Sequence, residues 1–421
     1  MTQPARAEAP ADIADINLST MKFWGRPLSE RHEAFARLRR HQPVFFGEPD
    51  LGPIPTGPGF YALVRHADVV EASRTPHVFA SEPSAVSIPD LPQEFNEFFG
   101  SMINLDDPRH ARLRRIVSRG FTPRMLAKLE GDIQRQAEQI VDDLVRTGPC
   151  DFVTEVAARL PLVVICEMMG IPEDRRRMVF ENSNTVLAGN DPEYLGNDVD
   201  TAVTRLLTAG AELADLLAEL AAKRREKPTD DLTSALVNAN IDGECLTDRE
   251  LGSFFILLAV AGNETTRNAI SHGLRLLTRN PDQRDLWWSD FEARAGTAVE
   301  EIIRYASPVV WMRRTVTRDH EMNGHLYRAG DKVVLYYASA NRDETVFDDP
   351  DTFDITRSPN PHVGFGGPGP HFCLGAHLAR REITVMFREL HRRAPSIRST
   401  AEPQRLLSSF VNGIKSMPCD I

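Results

Sequence analysis

The stretch Gly364-Phe-Gly-Gly-Pro-Gly-Pro-His-Phe-Cys-Leu-Gly375 decides how this chain is read. Its glycines and prolines form a tight turn that delivers one cysteine, Cys373, to the expected first turn of a helix over 374–391. Free backbone N–H groups and the positive end of a helix dipole favour a thiolate over a thiol. Such a thiolate, reached by close backbone approach, suits a nucleophile or a metal ligand, and this stretch leaves both open. The glycines also match a dinucleotide fingerprint, Gly364-x-Gly366-x-x-Gly369. The context argues against it, because Asn360-Pro361-His362 makes a poor buried strand and Pro368 and Pro370 suit a rigid turn rather than a phosphate cradle. A buried structural cysteine is the plain alternative, weakened by the flanking glycines and His371.

Around this turn lie 421 residues, 42% of them hydrophobic, enough for a large core. The net charge of -11 argues against nucleic acid as the main partner. Five scattered cysteines with no C-x-x-C pair argue against a disulfide framework or zinc ribbon and fit a reducing cytoplasm. The polar N-terminus lacks the apolar core of a signal peptide, and the longest apolar run, near 254–261, is too short for a bilayer. A cytoplasmic protein without a membrane anchor is expected.

Residues 1–20 read as a loosely ordered Ala/Pro-rich lead, and 21–421 as a single domain, mainly α with small antiparallel β-sheets. A strand pair is predicted at 44–46 and 61–65, and helices at 29–40 and through most of 108–227, where Ile133, Ala137, Ile140, Val141 and Leu144 recur at helical spacing. A helix of ~50 Å is predicted over 247–279, opened by the Thr247/Glu250 capping box and stopped by Asn280-Pro281. Another is predicted over 297–306, opened by Thr297-x-x-Glu300. Residues 321–339 alternate around Asn323-Gly324 and Ala329-Gly330 as short antiparallel strands.

Three further patterns carry chemistry. In the middle of the long helix, Ala261-Gly-Asn-Glu-Thr-Thr266 sets a carboxylate and two hydroxyls in apolar surroundings. A threonine bonding back one turn beside a glycine predicts a helix distortion, a small polar groove, and an acid–alcohol proton relay at Glu264 and Thr265. A helix with a polar surface stripe is the bland reading. Glu301-x-x-Arg304 puts an ion pair on one helix face, commonly no more than a surface contact. His110 and Arg114, at i,i+4, with Arg314 and His371, are cations that together could bind two carboxylates.

These motifs, in this order and joined by Asn341-Arg342-Asp343, resemble the cytochrome P450 superfamily over essentially the full length. The resemblance implies the P450 fold and a haem-thiolate monooxygenase carrying haem b (iron protoporphyrin IX), with Cys373 as the axial ligand. It implies that His110, Arg114, Arg314 and His371 hold the haem propionates, and that Phe365 and Gly375 belong to the haem-binding loop. Glu264 and Thr265 match the pair that delivers protons during dioxygen activation. Glu301 and Arg304 match a structural ion pair. Seven residues separate Phe365 from Cys373, where six are usual in the family. That interval resembles mycobacterial subfamilies acting on sterols and methyl-branched lipids. Phe99-Gly-Ser-Met-Ile103 and the run 256–270 resemble the methyl-branched-lipid omega-hydroxylases in particular. Pro368 and Pro370 depart from the small residues expected there.

The substrate pocket is expected to be lined by Phe99, Met102, Ile103, Val260, Ala261, Val309, Val310 and Phe410, all apolar as a lipid requires. The expected reaction is hydroxylation of a methyl-branched lipid or isoprenoid near its terminal (omega) carbon, using O2 and electrons from a ferredoxin and ferredoxin reductase. Arg112, Arg115, Arg119, Arg380 and Arg381 are expected to form a basic patch for an acidic ferredoxin. A sterol hydroxylase, a peroxide-driven peroxygenase and a non-catalytic haem ligand-binding protein are the alternatives.

Overall fold

A computed structural model describes residues 10–41, 43–49, 56–118, 123–188, 191–196, 198–239 and 243–421. The principal helices are α1 (Leu28–Arg40), α2 (His66–Arg74), α3 (Gln93–Gly100), α4 (Arg109–Ser118), α5 (Pro123–Thr147), α6 (Arg159–Met169), α7 (Glu173–Leu187), α8 (Val199–Glu226), α9 (Asp248–Arg279), α10 (Phe291–Ala306) and α11 (Ala376–Arg393). Strands β1 (Val44–Phe46), β2 (Phe60–Leu63), β3 (Phe79–Ala80), β5 (Trp311–Val316) and β8 (Lys332–Tyr336) form the largest sheet, in the order β1-β2-β8-β5-β3. Small sheets join β4 (Cys150–Asp151), β12 (Pro418–Asp420) and β9 (Arg398–Ser399), then β6 (His320–Met322) with β7 (His325–Tyr327), and β10 (Gln404–Arg405) with β11 (Ile414–Ser416).

The long helix begins where its sequence signal places it. Thr247 accepts from the Glu250 amide, and Glu250 accepts from the Thr247 amide at 2.9 Å, closing the capping box. From there α9 runs 32 residues. It is apolar on most of its circumference because α6, α7, α8, α10 and α11 pack around it.

Three local expectations change. α10 starts at Phe291 rather than 297, and Thr297 donates to the Arg294 carbonyl inside the helix instead of capping it. β8 pairs antiparallel with β5 but parallel with β2, in register Phe60↔Lys332 to Leu63↔Leu335, so the largest sheet is mixed rather than purely antiparallel. The β6–β7 hairpin turns at Asn323-Gly324 as predicted. Of the lead at 1–20, the described part is packed: Ile13, Ile16 and Leu18 are buried in one cluster with Phe23, Trp24 and Phe35. Glu301 and Arg304 form a wholly buried pair at 2.7 Å. Arg304 also donates to the carbonyls of Asn341, Pro350 and Thr352, fastening α10 to the loops ahead of the cysteine turn.

Candidate active site

Cys373 lies three residues before α11, so its sulfur is not in the first helical turn. The turn is held from several sides. Gly366, at φ +88°, takes the left-handed conformation that glycine adopts without strain, and its amide bonds the Val363 carbonyl at 3.0 Å. The Cys373 amide donates to the Phe365 carbonyl at 3.0 Å, and Asn341 accepts from the Val363 amide at 2.7 Å. Burial pushes the Cys373 thiol up, against the expected thiolate preference. The Gly375 amide, which bonds the sulfur, and the charges of Arg114 and Arg380 pull the other way. What leans towards the thiolate here is one aimed amide and two guanidiniums rather than a helix dipole, and burial outweighs them. Cys373 is exposed only in that it faces a large internal cavity, densely walled by protein.

That cavity has two kinds of wall. Its polar end holds Cys373, His110, Arg114, Arg314 and His371, with Phe365 and Gly375 beside them. His110 and His371 stack with ring centroids 4.1 Å apart. His371 meets the Ser81 hydroxyl at 3.0 Å, and burial beside Arg314, His110 and Arg114 brings it down to about 2, which keeps it neutral. His110 Nδ1 lies 3.5 Å from the Asp107 carboxylate, while its buried Nε2 has no partner. Arg114 donates to the Phe372 carbonyl at 2.7 Å, and Arg314, 5% exposed, to the Arg313 carbonyl at 2.6 Å. Among the described residues neither guanidinium has a carboxylate partner.

Two guanidiniums without counter-ions and an orphaned imidazole nitrogen converge on a space faced by a thiol. One buried and one half-buried cation in this state call for an anion. The donor set fits haem, with two propionates for Arg114, Arg314 and His110, and Cys373 for the metal. Phe365 carries Arg380 over its ring at 4.4 Å, which fixes the proximal edge of the space.

The other end of the cavity is apolar. On α9 it is lined by Phe254, Leu257, Leu258, Ala261, Gly262 and Thr265, the i, i+3, i+4, i+7, i+8, i+11 face of the helix. Val260 is rotated off that face and is buried in the helical core. Of the residues expected at the substrate, Met102, Ile103, Ala261 and Val309 line the cavity. Phe99, Val310 and Phe410 do not. Phe99 packs against Phe95 and Phe98 beneath Gly210 of α8; a Cβ at Gly210 would meet both Phe98 and Phe99 within 2.9 Å. Val310 belongs to the cluster of Trp24 and Phe35, and Phe410 sits edge-on to Trp311 at 5.0 Å. Sequence reading missed Ile165, Phe254, Leu257, Leu258, Met312 and Tyr337. The helical face through Ala261 and the strand alternation back from Arg314 to Met312 were the available signals.

The expected acid–alcohol pair is divided. Thr265 faces the cavity and donates to the Ala261 carbonyl at 2.7 Å, yet α9 stays helical throughout. Glu264 does not line the cavity. It is buried against Arg267 one turn on, which is in turn held by Asn184 of α7 at 2.8 Å, and burial pushes its carboxyl up. The basic patch is also largely neutralised. Arg112 pairs with Glu250 at 2.7 Å, Arg115 with Glu244 at 2.6 Å, Arg380 with Glu300 at 2.5 Å, and Arg381 approaches Glu130 at 3.9 Å. Arg119 lies outside the described residues. No described helix is long and apolar enough to cross a membrane.

Comparison with known proteins agrees with this geometry. The profile of the family described as Cytochrome P450 matches residues 296–393, from α10 through the cysteine turn to the end of α11. A methyl-branched lipid omega-hydroxylase of Mycobacterium bovis is 52% identical over 410 residues, covering 96% of this chain and 94% of that protein. A steroid C26-monooxygenase of Mycolicibacterium smegmatis is 42% identical, covering 92% of this chain and 90% of that protein. A solved cytochrome P450 of Mycobacterium marinum in complex with pseudoionone superposes with a TM-score of 0.92 at 43% identity, covering 99% of this chain and all of that one. With Cys373 and Arg314 inside the matched residues and a relative 52% identical over 96% of the chain, the chain belongs to the cytochrome P450 family.

Proposed function

We propose that this cytochrome P450 monooxygenase hydroxylates a methyl-branched lipid or isoprenoid at its terminal carbon, using O2 and electrons from a ferredoxin and its reductase. The observation that carries the reading is the one-sided wall opposite Cys373. Ile103, Phe254, Leu257, Leu258, Val309 and Met312 are apolar, and the Thr265 hydroxyl is already committed to a backbone carbonyl. A hydrocarbon end can enter such a wall without stranding a polar group, whereas a carboxylate there would have no cation to meet. Haem, when bound, supplies dioxygen activation and insertion of one oxygen atom into a C–H bond.

The chain's own residues then have separable tasks. Cys373 supplies the sulfur ligand, steadied by the Gly375 amide. Arg114, Arg314 and His110 neutralise and orient the propionates, with His371 stacked on His110. Thr265 holds a hydroxyl on the cavity surface, where it can pass a proton by exchanging its bond to the Ala261 carbonyl. Glu264, clamped by Arg267, reaches that hydroxyl only if its side chain leaves the pair, so we assign it a gated proton supply. The names of the relatives support an omega or side-chain terminus as the site of attack.

The test is a set of ligands matched in length: linear fatty acids, methyl-branched fatty acids, isoprenoids and sterols. Each is titrated against the holoenzyme by its haem spin shift and then turned over for product analysis. Tightest binding and terminal hydroxylation of branched or isoprenoid chains are expected. Equal handling of linear chains would refute the branched preference, and preference for sterols would replace it with the steroid reading.

A further inference from the structure

The sheet of β4, β12 and β9 brings together two cysteines that stand 269 residues apart in the chain. β12 is its middle strand and pairs antiparallel with β4, with Cys419 directly opposite Cys150 and Pro418 opposite Asp151. Both cysteines are free, and their sulfurs lie 3.7 Å apart. Directly opposed residues of an antiparallel pair have Cα atoms about 4.5–5.5 Å apart, inside the ~4.4–6.8 Å that a disulfide spans. Closing the sulfurs to a bonding distance of ~2.05 Å therefore asks for side-chain rotation and leaves the strand register as it is. Neighbouring contacts hold that register. The Phe152 amide donates to the Met417 carbonyl at 2.9 Å, and Asp151 accepts from the Met417 amide at 2.9 Å and from the Ser416 hydroxyl.

The two thiols are not equivalent. Cys150 is partly exposed, whereas Cys419 is 2% exposed. Burial pushes both up, Cys419 to about 12 with Cys150 adding to the rise, while the hydrogen bond from Cys419 pulls Cys150 the other way. An oxidant arriving from solvent thus meets Cys150 first, and Cys419 waits beside it as a thiol. The remaining cysteines stand elsewhere: Cys166 is buried in α6, Cys245 is exposed before α9, and Cys373 faces the cavity.

We propose that Cys150 and Cys419 are a reversible redox modification site, oxidised by a low-molecular-weight disulfide to a cross-strand bond that fastens β12 to β4. The Cys150 thiolate attacks one sulfur of the small disulfide; the other sulfur leaves and takes up the proton that Cys150 lost. The Cys419 sulfur then attacks Cys150, and the second small thiol departs with the Cys419 proton. Two protein thiols and one small disulfide thus become one protein disulfide and two small thiols, with two electrons passing to the small molecule. The strands joined are two and three residues long, so few ladder bonds hold them without it. Closing so long a loop also removes entropy from the unfolded chain. β4 leads through Val153–Ala157 into α6, whose Ile165 lines the substrate cavity.

The test uses holoenzyme carrying Cys245→Ser, which removes the exposed thiol, as the parent. It is equilibrated in buffers of varied oxidised-to-reduced glutathione, quenched with acid, alkylated and digested without reductant. Peptide mass spectrometry should show the Cys150–Cys419 disulfide rising with the oxidised fraction and vanishing in excess reduced glutathione. With Cys419→Ser added, reaction should stop at glutathione on Cys150; with Cys150→Ser added, Cys419 should remain a thiol. The oxidised parent should melt about 3 °C or more above the reduced parent, a difference absent once Cys150→Ser is added. Both thiols surviving at the most oxidising ratio, or glutathione retained on Cys150 beside an unreacted Cys419, would overturn the proposal. So would oxidation of Cys419 to the parent's extent when Cys150→Ser is present, or equal melting of the oxidised and reduced parent.

Discussion

Two buried arginines should respond in opposite ways to the same substitution. Arg304 is wholly buried and fully partnered: it bonds Glu301 at 2.7 and 2.8 Å, and three backbone carbonyls at 2.8 to 3.2 Å. Arg304→Met strands a buried carboxylate and those carbonyls, and should cost about 3–5 kcal/mol of folding stability. Arg314 is 5% exposed but makes one hydrogen bond, to its neighbour's carbonyl, and has no carboxylate partner. Arg314→Met removes a charge already uncompensated within the protein, so the haem-free chain should be as stable as the parent or more so. The same change removes a charge-assisted bond to a propionate worth about 1.5–3 kcal/mol, or roughly 10- to 100-fold in haem affinity. Urea unfolding of the haem-free protein followed by circular dichroism measures the first effect. The rate of haem transfer to an acceptor globin measures the second. If Arg314→Met destabilises the haem-free chain as severely as Arg304→Met, or leaves haem retention unchanged, Arg314 is structural and the propionate assignment fails.

Thr265→Ala should lower product formed per electron pair by about tenfold or more while peroxide-driven turnover persists; equal loss of both would place Thr265 in packing rather than proton transfer. Glu300 gives a pH signature. Burial alone would raise its carboxyl, but hydrogen bonds from Arg380 and His362 outweigh this and bring it to about 2. Its stabilisation is therefore complete above an unfolded-state value near 4.5 and is lost as the pH falls towards 2. Glu300→Gln should cost up to about 3 kcal/mol at neutral pH, and the gap from the parent in acid-unfolding curves should close below pH ~4.5. Gly210→Val should force Phe98 and Phe99 out of their slot and destabilise by about 1–3 kcal/mol, with a change in ligand affinity because α3 leads into Met102 and Ile103. Unchanged melting and unchanged spin-shift titrations would mean that the aromatic slot does not position that wall.

Much of the site was legible because its signals are local. Thr247 and Glu250 cap α9 through bonds spanning three residues, so the helix start could be read from the letters alone. The glycine turn before Cys373, the Glu301–Arg304 spacing and the His110–Arg114 spacing are likewise short patterns that can be read from near neighbours in the sequence. Non-local choices were not legible. Val260 and Ala261 are neighbours of similar character, and only the packing of α6, α7 and α8 around α9 decides that Ala261 faces the cavity. Phe99 turned away because Gly210, more than a hundred positions later, leaves room for its ring. Glu264 follows the family pattern, yet Arg267 and Asn184 hold its carboxylate off the cavity. The basic residues of α4 and α11 looked like a positive patch until acids from α9, α10 and the loop before α9 neutralised them. By itself, then, the sequence determined the fold class, the turn that presents Cys373 and, through the resemblance its ordered motifs carry, the reaction class, since these signals lie in short runs of near neighbours. The tertiary structure decided which side chains meet the substrate and which charges stay unpaired, because burial and counter-ions come from residues far apart in the chain.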